Sequence, residues 1–179
     1  MTGVAIRAEE PADRLGVREV LSRAFSRDEE AQLVEALREG PSFVPGLSLV
    51  ALDGPRVVGH VLFTRIHVRA GESATEALSL APLAVVPERQ SEGIGTALVE
   101  HGLAECRRLG HRIVVVLGHP TYYPRFGFIP AGTQGIRARF AARPEAFMVL
   151  ELVPGALAGV RGEVEYPEEF DQPPRGVRE

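Results

Sequence analysis

Residues 78–117 read LSLAPLAVVPERQSEGIGTALVEHGLAECRRLGHRIVVVL, and this stretch decides the fold. It lies on and after an apolar β-rich run, Glu76–Val86, that contains Pro82. Proline cannot donate a ladder hydrogen bond, so the run predicts a strand with an edge or a bulge at that point. Gly93–Leu109 follows as an amphipathic helix. Gly95, Leu98, Val99, Gly102, Leu103, Cys106 and Leu109 fall on one stripe at helical spacing, with Glu100, Glu105, Arg107 and Arg108 off it. Gly110 stands where a C-terminal cap belongs. Arg112–Leu117 is then an Ile-Val-Val-Val-Leu run of the kind found in a central buried strand. Strand, loop, helix and strand in this order make a βαβ unit over Leu78–Leu117.

Outward from that unit, Val4–Ala8 reads as a short first strand. Pro11 to Phe25 carries Leu15, Val20, Leu21, Ala24 and Phe25 near helical spacing, with Pro11 suited to a helix start. Asp28 is placed to cap a second helix holding Ala31, Leu33, Val34 and Leu37, which ends at Gly40-Pro41. Leu47–Leu52 and Arg56–Val68 are β-rich runs joined by the turn signal Asp53-Gly54-Pro55. Beyond the βαβ unit, Pro120, Pro124 and Pro130 punctuate a short turn or helix, and Phe147–Leu152 reads as a late strand. The end, Gln172 to Glu179, has adjacent prolines and few anchors and is expected to fray. The whole is an α/β chain with a mixed, twisted sheet and helices on both faces, and 179 residues suit one domain spanning 1–179.

Composition removes several function classes. Apolar residues at 45% and charged residues at 25% describe a globular chain and exclude a mainly disordered one. A net charge of -4 argues against nucleic acid as a partner, since such binding needs a basic surface. No run approaches a bilayer-crossing length, and the N-terminus lacks the apolar segment of a signal peptide, so a cytoplasmic address without membrane contact is expected. One cysteine, Cys106, excludes an internal disulfide and a multi-cysteine metal site. His60, His67, His101, His111 and His119 include no i, i+4 pair, so a metal is not expected. All 20 basic residues are arginine, so no lysine is present to act as a Schiff base, P-loop ligand or general base.

The loop Pro87-Glu88-Arg89-Gln90-Ser91-Glu92-Gly93-Ile94-Gly95-Thr96 is an anion site on physical grounds. Its glycines allow close backbone approach, and the helix N-terminus adds N–H groups and a positive partial charge. A phosphate-bearing ligand is the natural occupant. Leu98 replaces the third glycine of a dinucleotide fingerprint, and the Gly-Lys-Ser/Thr of a P-loop is missing. The loop alone leaves a plain glycine-rich turn, or a generic nucleotide-binding α/β domain, as alternatives.

The ordered set of Leu80–Val86, Gln90-x-x-Gly93-x-Gly95 and Tyr122-Tyr123-Pro124-Arg125-Phe126-Gly127-Phe128 resembles the GCN5-related N-acetyltransferase (GNAT) superfamily, and within it small bacterial predicted N-acetyltransferases. The resemblance is strongest over Leu78–Ala131. It implies a GNAT-like sheet with a splayed strand pair and acetyl-CoA as co-substrate. The pantetheine arm would pair like an extra strand with Leu83, Ala84 and Val85. The pyrophosphate would rest on N–H groups of Gln90, Ser91, Glu92, Gly93, Ile94, Gly95 and Thr96. Ser91 and Glu92 depart from the family pattern, and the Glu92 side chain is expected to face solvent. Tyr122 and Phe126 would wall the cofactor channel; alternatively Tyr122 and Tyr123 simply pack beside Phe126 and Phe128.

The same resemblance makes Tyr123 the catalytic residue. An amine attacking a thioester expels a thiolate, and a phenol is a plausible donor to it near neutral pH. The base is less legible: Glu76 is a candidate by region, and His119 a weaker one. Arg89 and Arg125 could reach the adenosine phosphates. Cys106 lies on the buried helix stripe, which disfavours a covalent cysteine route. The implied activity is acetyl transfer to the amine of a small molecule or peptide; an acyl-CoA-binding sensor without turnover is the alternative. Assembly as a homodimer is left open.

Overall fold

The computed structural model describes residues 3–140 and 142–170, so the tail from Gln172 lies outside the described residues. Within them run β1 (Ala5–Ala8), α1 (Arg14–Phe25), α2 (Glu29–Glu39), β2 (Phe43–Asp53), β3 (Arg56–Ala70), β4 (Ser73–Val85), α3 (Ile94–Arg108), β5 (Ile113–Leu117), β6 (Ile129–Pro130), β7 (Ile136–Arg137), β8 (Phe147–Glu151) and β9 (Gly162–Glu165). Parallel and antiparallel pairings both occur, giving a mixed α/β fold. The chain clusters into two compact units, Met1–Phe63 with Pro82–Glu105, and Thr64–Ala81 with Cys106–Glu179.

In the first unit, β1 pairs antiparallel with β2 from Ala5↔Leu52 to Ala8↔Leu49. A 3-10 turn at Pro11–Asp13 leads into α1. Asp13 fixes that turn: its carboxylate takes the Glu10 N–H at 2.7 Å and is held by Arg7 at 2.6 Å. Asp28 stands before α2 but does not cap it. Its backbone is already helical (φ -100, ψ -6), and its carboxylate accepts from Ser22 Oγ at 2.6 Å instead.

Two missing side chains seat α3 on β3. A Cβ on Gly59 would lie 2.9 Å from Leu98 Cδ1 and 3.2 Å from Ile94 Cγ2, and one on Gly102 would overlap the Phe63 ring. Leu98, Val99, Leu103 and Cys106 are buried along that contact stripe. Each large aliphatic side chain so buried is worth about 1.5–3 kcal/mol. Leu109 falls past the helix end and is 40% exposed, contrary to its place on the predicted stripe. Gly59 and Phe63 occupy one face of β3, and His60 points to the other. There His60 Nε2 lies 2.9 Å from Ser48 Oγ, which donates to Glu9, and Glu9 pairs with Arg38 of α2. The chain His60–Ser48–Glu9–Arg38 thus links β3 to α2, while α1 approaches β3 where a Cβ on Gly16 would lie 2.7 Å from Val57 Cγ2.

In the second unit, β4 and β5 run parallel at Leu78↔Val114 and Ser79↔Val115. The strand begins at Ser73, ahead of the expected Glu76, and continues through Pro82 to Val85. β5 is buried from Ile113 to Val116 and pairs antiparallel with β8 from Ile113↔Glu151 to Leu117↔Phe147. Three strands absent from the sequence reading complete this unit: β6 on β8, β9 on the end of β3, and β7 parallel to β9. With two to four residues each, they are too short to carry a visible alternation.

Candidate active site

The anion loop is built from the end of β4 outward. Val86 N–H donates to Val58 O at 2.9 Å, which ties the strand end to β3. Neighbouring extended residues point their backbone groups to opposite sides, so those of Val85 face away from β3. There the Val85 carbonyl accepts from Gln90 Nε2 at 3.0 Å, joining two of the predicted contact residues. Leu83 and Val85 are half-buried, whereas Pro82, Ala84 and Val86 are buried.

After a 3-10 turn at Pro87–Arg89 the chain passes through two left-handed residues, Ser91 (φ 64) and Gly93 (φ 85). The helical ladder then opens with Ala97 N–H on Gly93 O at 3.0 Å. Loop and first-turn N–H groups ahead of that bond precede the ladder, the arrangement that receives oxyanions. Ile94 is buried and anchors the turn, Gly95 and Thr96 are half-buried, and Ser91 and Gly93 are exposed. A serine in the left-handed region costs roughly 1–2 kcal/mol, a strain that persists only where the surroundings fix it.

Charged side chains pin this loop from three elements. Glu88 accepts from Arg23 of α1 at 2.8 and 3.0 Å and from Arg56 of β3 at 2.8 Å. These arginines, Arg23 foremost, pull the Glu88 carboxyl down to about 2. Arg89 pairs with Asp53 at the end of β2 and donates from Nε to Glu92 at 2.6 Å. Arg89 is thus engaged with carboxylates rather than standing ready for a phosphate, and Glu92 is exposed.

In the second unit, β5 leads into an aromatic cluster. Gly118 N–H donates to Ala146 O at 2.9 Å, and a Cβ on Gly118 would overlap the Tyr123 ring, so glycine alone lets the ring lie flat on the chain. His119 shapes the turn that follows. Its carbonyl accepts from Tyr122 N–H at 3.1 Å, and its Nδ1 lies 2.8 Å from Thr121 Oγ1. A 3-10 turn at Tyr123–Phe126 closes on Gly127 in the left-handed region (φ 98). Tyr123 meets Tyr122 edge-on at 5.0 Å between centroids, Phe128 at 5.7 Å and Phe126 at 6.3 Å. Its side chain is 2% exposed, and burial, with Tyr122 beside it, raises its pKa above the usual phenol value. Arg125 stacks on the Tyr122 ring at 4.4 Å and donates to Tyr122 O at 2.9 Å, which occupies it locally.

The remaining candidates are placed as follows. Glu76 is exposed, with His111 Nδ1 at 3.8 Å from its carboxylate. Cys106 is fully buried. Among the described residues no group of three or more His, Cys, Asp or Glu could hold a metal ion, and no helix is long and apolar enough to cross a membrane. Sequence reasoning missed Gly118, whose one signal is its place between an apolar run and an aromatic pair. It also missed Arg23, Asp53 and Arg56.

A family model described as an acetyltransferase (GNAT) domain matches residues 5–131. The chain belongs to the GNAT acetyltransferase family. Among GNAT relatives, the uncharacterized N-acetyltransferase YhbS of Escherichia coli (strain K12) is 39% identical over 167 residues, 93% of this chain and 98% of that protein. The crystal structure of Escherichia coli YhbS in complex with CoA superimposes with a TM-score of 0.89 at 37% identity, over 98% of this chain and 96% of that one. A GNAT family acetyltransferase from Brucella melitensis, in complex with acetyl-CoA, gives a TM-score of 0.77 at 32% identity, over 96% and 100% of the two chains. The uncharacterized N-acetyltransferase YjhQ of the same Escherichia coli strain is 45% identical over 130 residues, 72% of each chain. The mixed sheet and helices found here are those of the GNAT fold.

Proposed function

We propose that this GNAT protein transfers an acetyl group from acetyl-CoA to the amine of a small molecule or peptide, by direct attack within one catalytic domain spanning 1–179 and acting in the cytoplasm. One observation carries the reading. The Gln90–Thr96 loop holds two left-handed residues at the head of a 15-residue helix, beside a strand end where the Val85 backbone faces away from β3 and its carbonyl accepts from Gln90. That shape fits a pyrophosphate on the loop N–H groups and an extended amide-bearing arm along Leu83, Ala84 and Val85. Relatives that match nearly the full chain have been solved with CoA and with acetyl-CoA.

When bound, acetyl-CoA supplies a thioester carbonyl, open to an amine, and a thiolate leaving group. The chain binds and orients it. Gly93 and Gly95 permit close backbone approach, Ser91, Glu92, Ile94 and Thr96 contribute backbone rather than side chain, and Gln90 keeps the Val85 carbonyl in place. Backbone N–H near Val85 polarises the thioester carbonyl. Tyr123 donates its hydroxyl proton toward the leaving sulfur. Its raised pKa keeps that proton in place across the working pH range. Full transfer from such a phenol to a thiolate is uphill, so the nitrogen of the amine adduct returns its proton to the Tyr123 oxygen as the C–S bond breaks, leaving neutral Tyr123, the amide and the CoA thiol.

A panel of amines with acetyl-CoA, read by released CoA thiol and by product mass, tests the reading. The expected result is amine-dependent thiol release in step with an acetylated product. Binding of acetyl-CoA with no turnover on any amine favours the acyl-CoA sensor instead.

A further inference from the structure

We infer that the ion pairs Arg23–Glu88–Arg56 and Asp53–Arg89–Glu92 form a strap that holds the Gln90–Thr96 loop in its anion-receiving shape before a ligand arrives, making Glu88 and Arg89 positioning residues for CoA. The inference rests on the reading above, in which that loop receives the pyrophosphate.

Three observations converge on it. The first is strain: Ser91 is one of only two non-glycine residues at positive φ among those described. Such a conformation relaxes unless its flanks are fixed. The second is where the flanks are fixed. Glu88 and Arg89 are the last two residues of the 3-10 turn before Gln90, and Glu92 lies between the two left-handed residues. Their partners sit on α1, at the end of β2 and at the start of β3, so one short segment is tied to three elements. The third is geometry. Arg23 grips both oxygens of Glu88 at 2.8 and 3.0 Å, and Arg56 adds a third bond to the same carboxylate. A single exposed ion pair counts for little, but a linked set with bidentate geometry does more.

The strap places acidic groups beside a site meant for a polyanion. That makes the test a matter of sign. If Glu88 and Asp53 acted only through their charge, Glu88→Gln and Asp53→Asn would remove repulsion and tighten CoA binding. If they hold the loop, the same changes weaken it, because part of the binding free energy must then order the loop.

The experiment titrates CoA calorimetrically into wild type, Glu88→Gln, Asp53→Asn and Glu165→Gln, with a melting curve for each. Glu165→Gln removes a comparable exposed pair, with Arg69 in the second unit, and serves as the control. Strap variants are expected to bind CoA roughly three- to tenfold more weakly. The deficit should shrink at 0.5 M salt, where screening loosens the wild-type strap too. In turnover the loss should appear as a raised KM for acetyl-CoA with kcat unchanged. Glu165→Gln should match wild type. CoA binding that is unchanged or tighter in both folded strap variants overturns the strap and leaves the loop assignment standing. Wild type that fails to bind CoA overturns the loop assignment, and the strap with it. Should Glu88→Gln not fold, Asp53→Asn decides alone.

Discussion

Tyr123→Phe is expected to lower kcat/KM by about 10²–10⁴-fold while leaving the fold and CoA affinity close to wild type. The substitution removes one oxygen and keeps the ring. The ring makes the edge contacts with Tyr122 and Phe128 and lies against Gly118, so packing is retained. The hydroxyl is the group that proton donation to the thiolate would require. Its pKa lies above that of an ordinary phenol because burial disfavours the phenolate. A group whose folded pKa is raised stays protonated to higher pH than in the unfolded chain, and the stability linked to that proton fades only above about pH 10. The rate should therefore show no alkaline limb from Tyr123 below about pH 10. A residue that only packs would give the opposite result: full activity with a small change in melting temperature. Measuring kcat/KM and the melting curve on the same sample separates the two, provided chemistry limits the rate.

Gly93→Val should cut CoA affinity by roughly 10–100-fold in a protein that still folds. Gly93 is exposed and left-handed (φ 85), so a β-branched side chain there is strained against its own backbone. The loop must then move, and its N–H groups no longer converge. Local strain costs roughly 1–2 kcal/mol, which lowers the melting temperature by a few degrees without unfolding the chain. Gly95 is a poorer probe because it is half-buried within α3, where substitution mixes binding with packing. Calorimetric titration of CoA reads the effect directly, and wild-type affinity in folded Gly93→Val would remove the loop from the binding site.

These two residues also mark how far the sequence could be read. The helical stripe from Leu98 to Cys106 and the Ile113–Val116 run repeat their periodicity often enough to define α3 and β5 unaided. Gly93 and Tyr123 stood out through the family pattern. Ser91 did not reveal its left-handed backbone, because serine has no composition signal for that state. Gly118 did not reveal that it seats the Tyr123 ring, since that contact depends on a turn the sequence does not specify. Arg23 and Glu88 are 65 positions apart, and Arg89 and Asp53 are 36 apart. A common arginine and a common carboxylate at such distances carry no local pattern. Asp28 shows the reverse error: a residue well suited to capping binds Ser22 because its backbone is already helical. The acceptor side left no chemistry-specific cluster in the sequence.

Service of acetyl-CoA by the Gln90–Thr96 loop and the Leu83–Val85 strand end is tested by the melting temperature of the wild-type protein with acetyl-CoA, CoA, NAD or ATP at equal concentration. A ligand at ~100 times its Kd adds about 2.7 kcal/mol to stability, which for a chain of this size is a rise of roughly 5–10 °C. That rise is expected with acetyl-CoA and CoA, and none with NAD or ATP. Equal shifts with all four ligands, or no shift with acetyl-CoA, would contradict it.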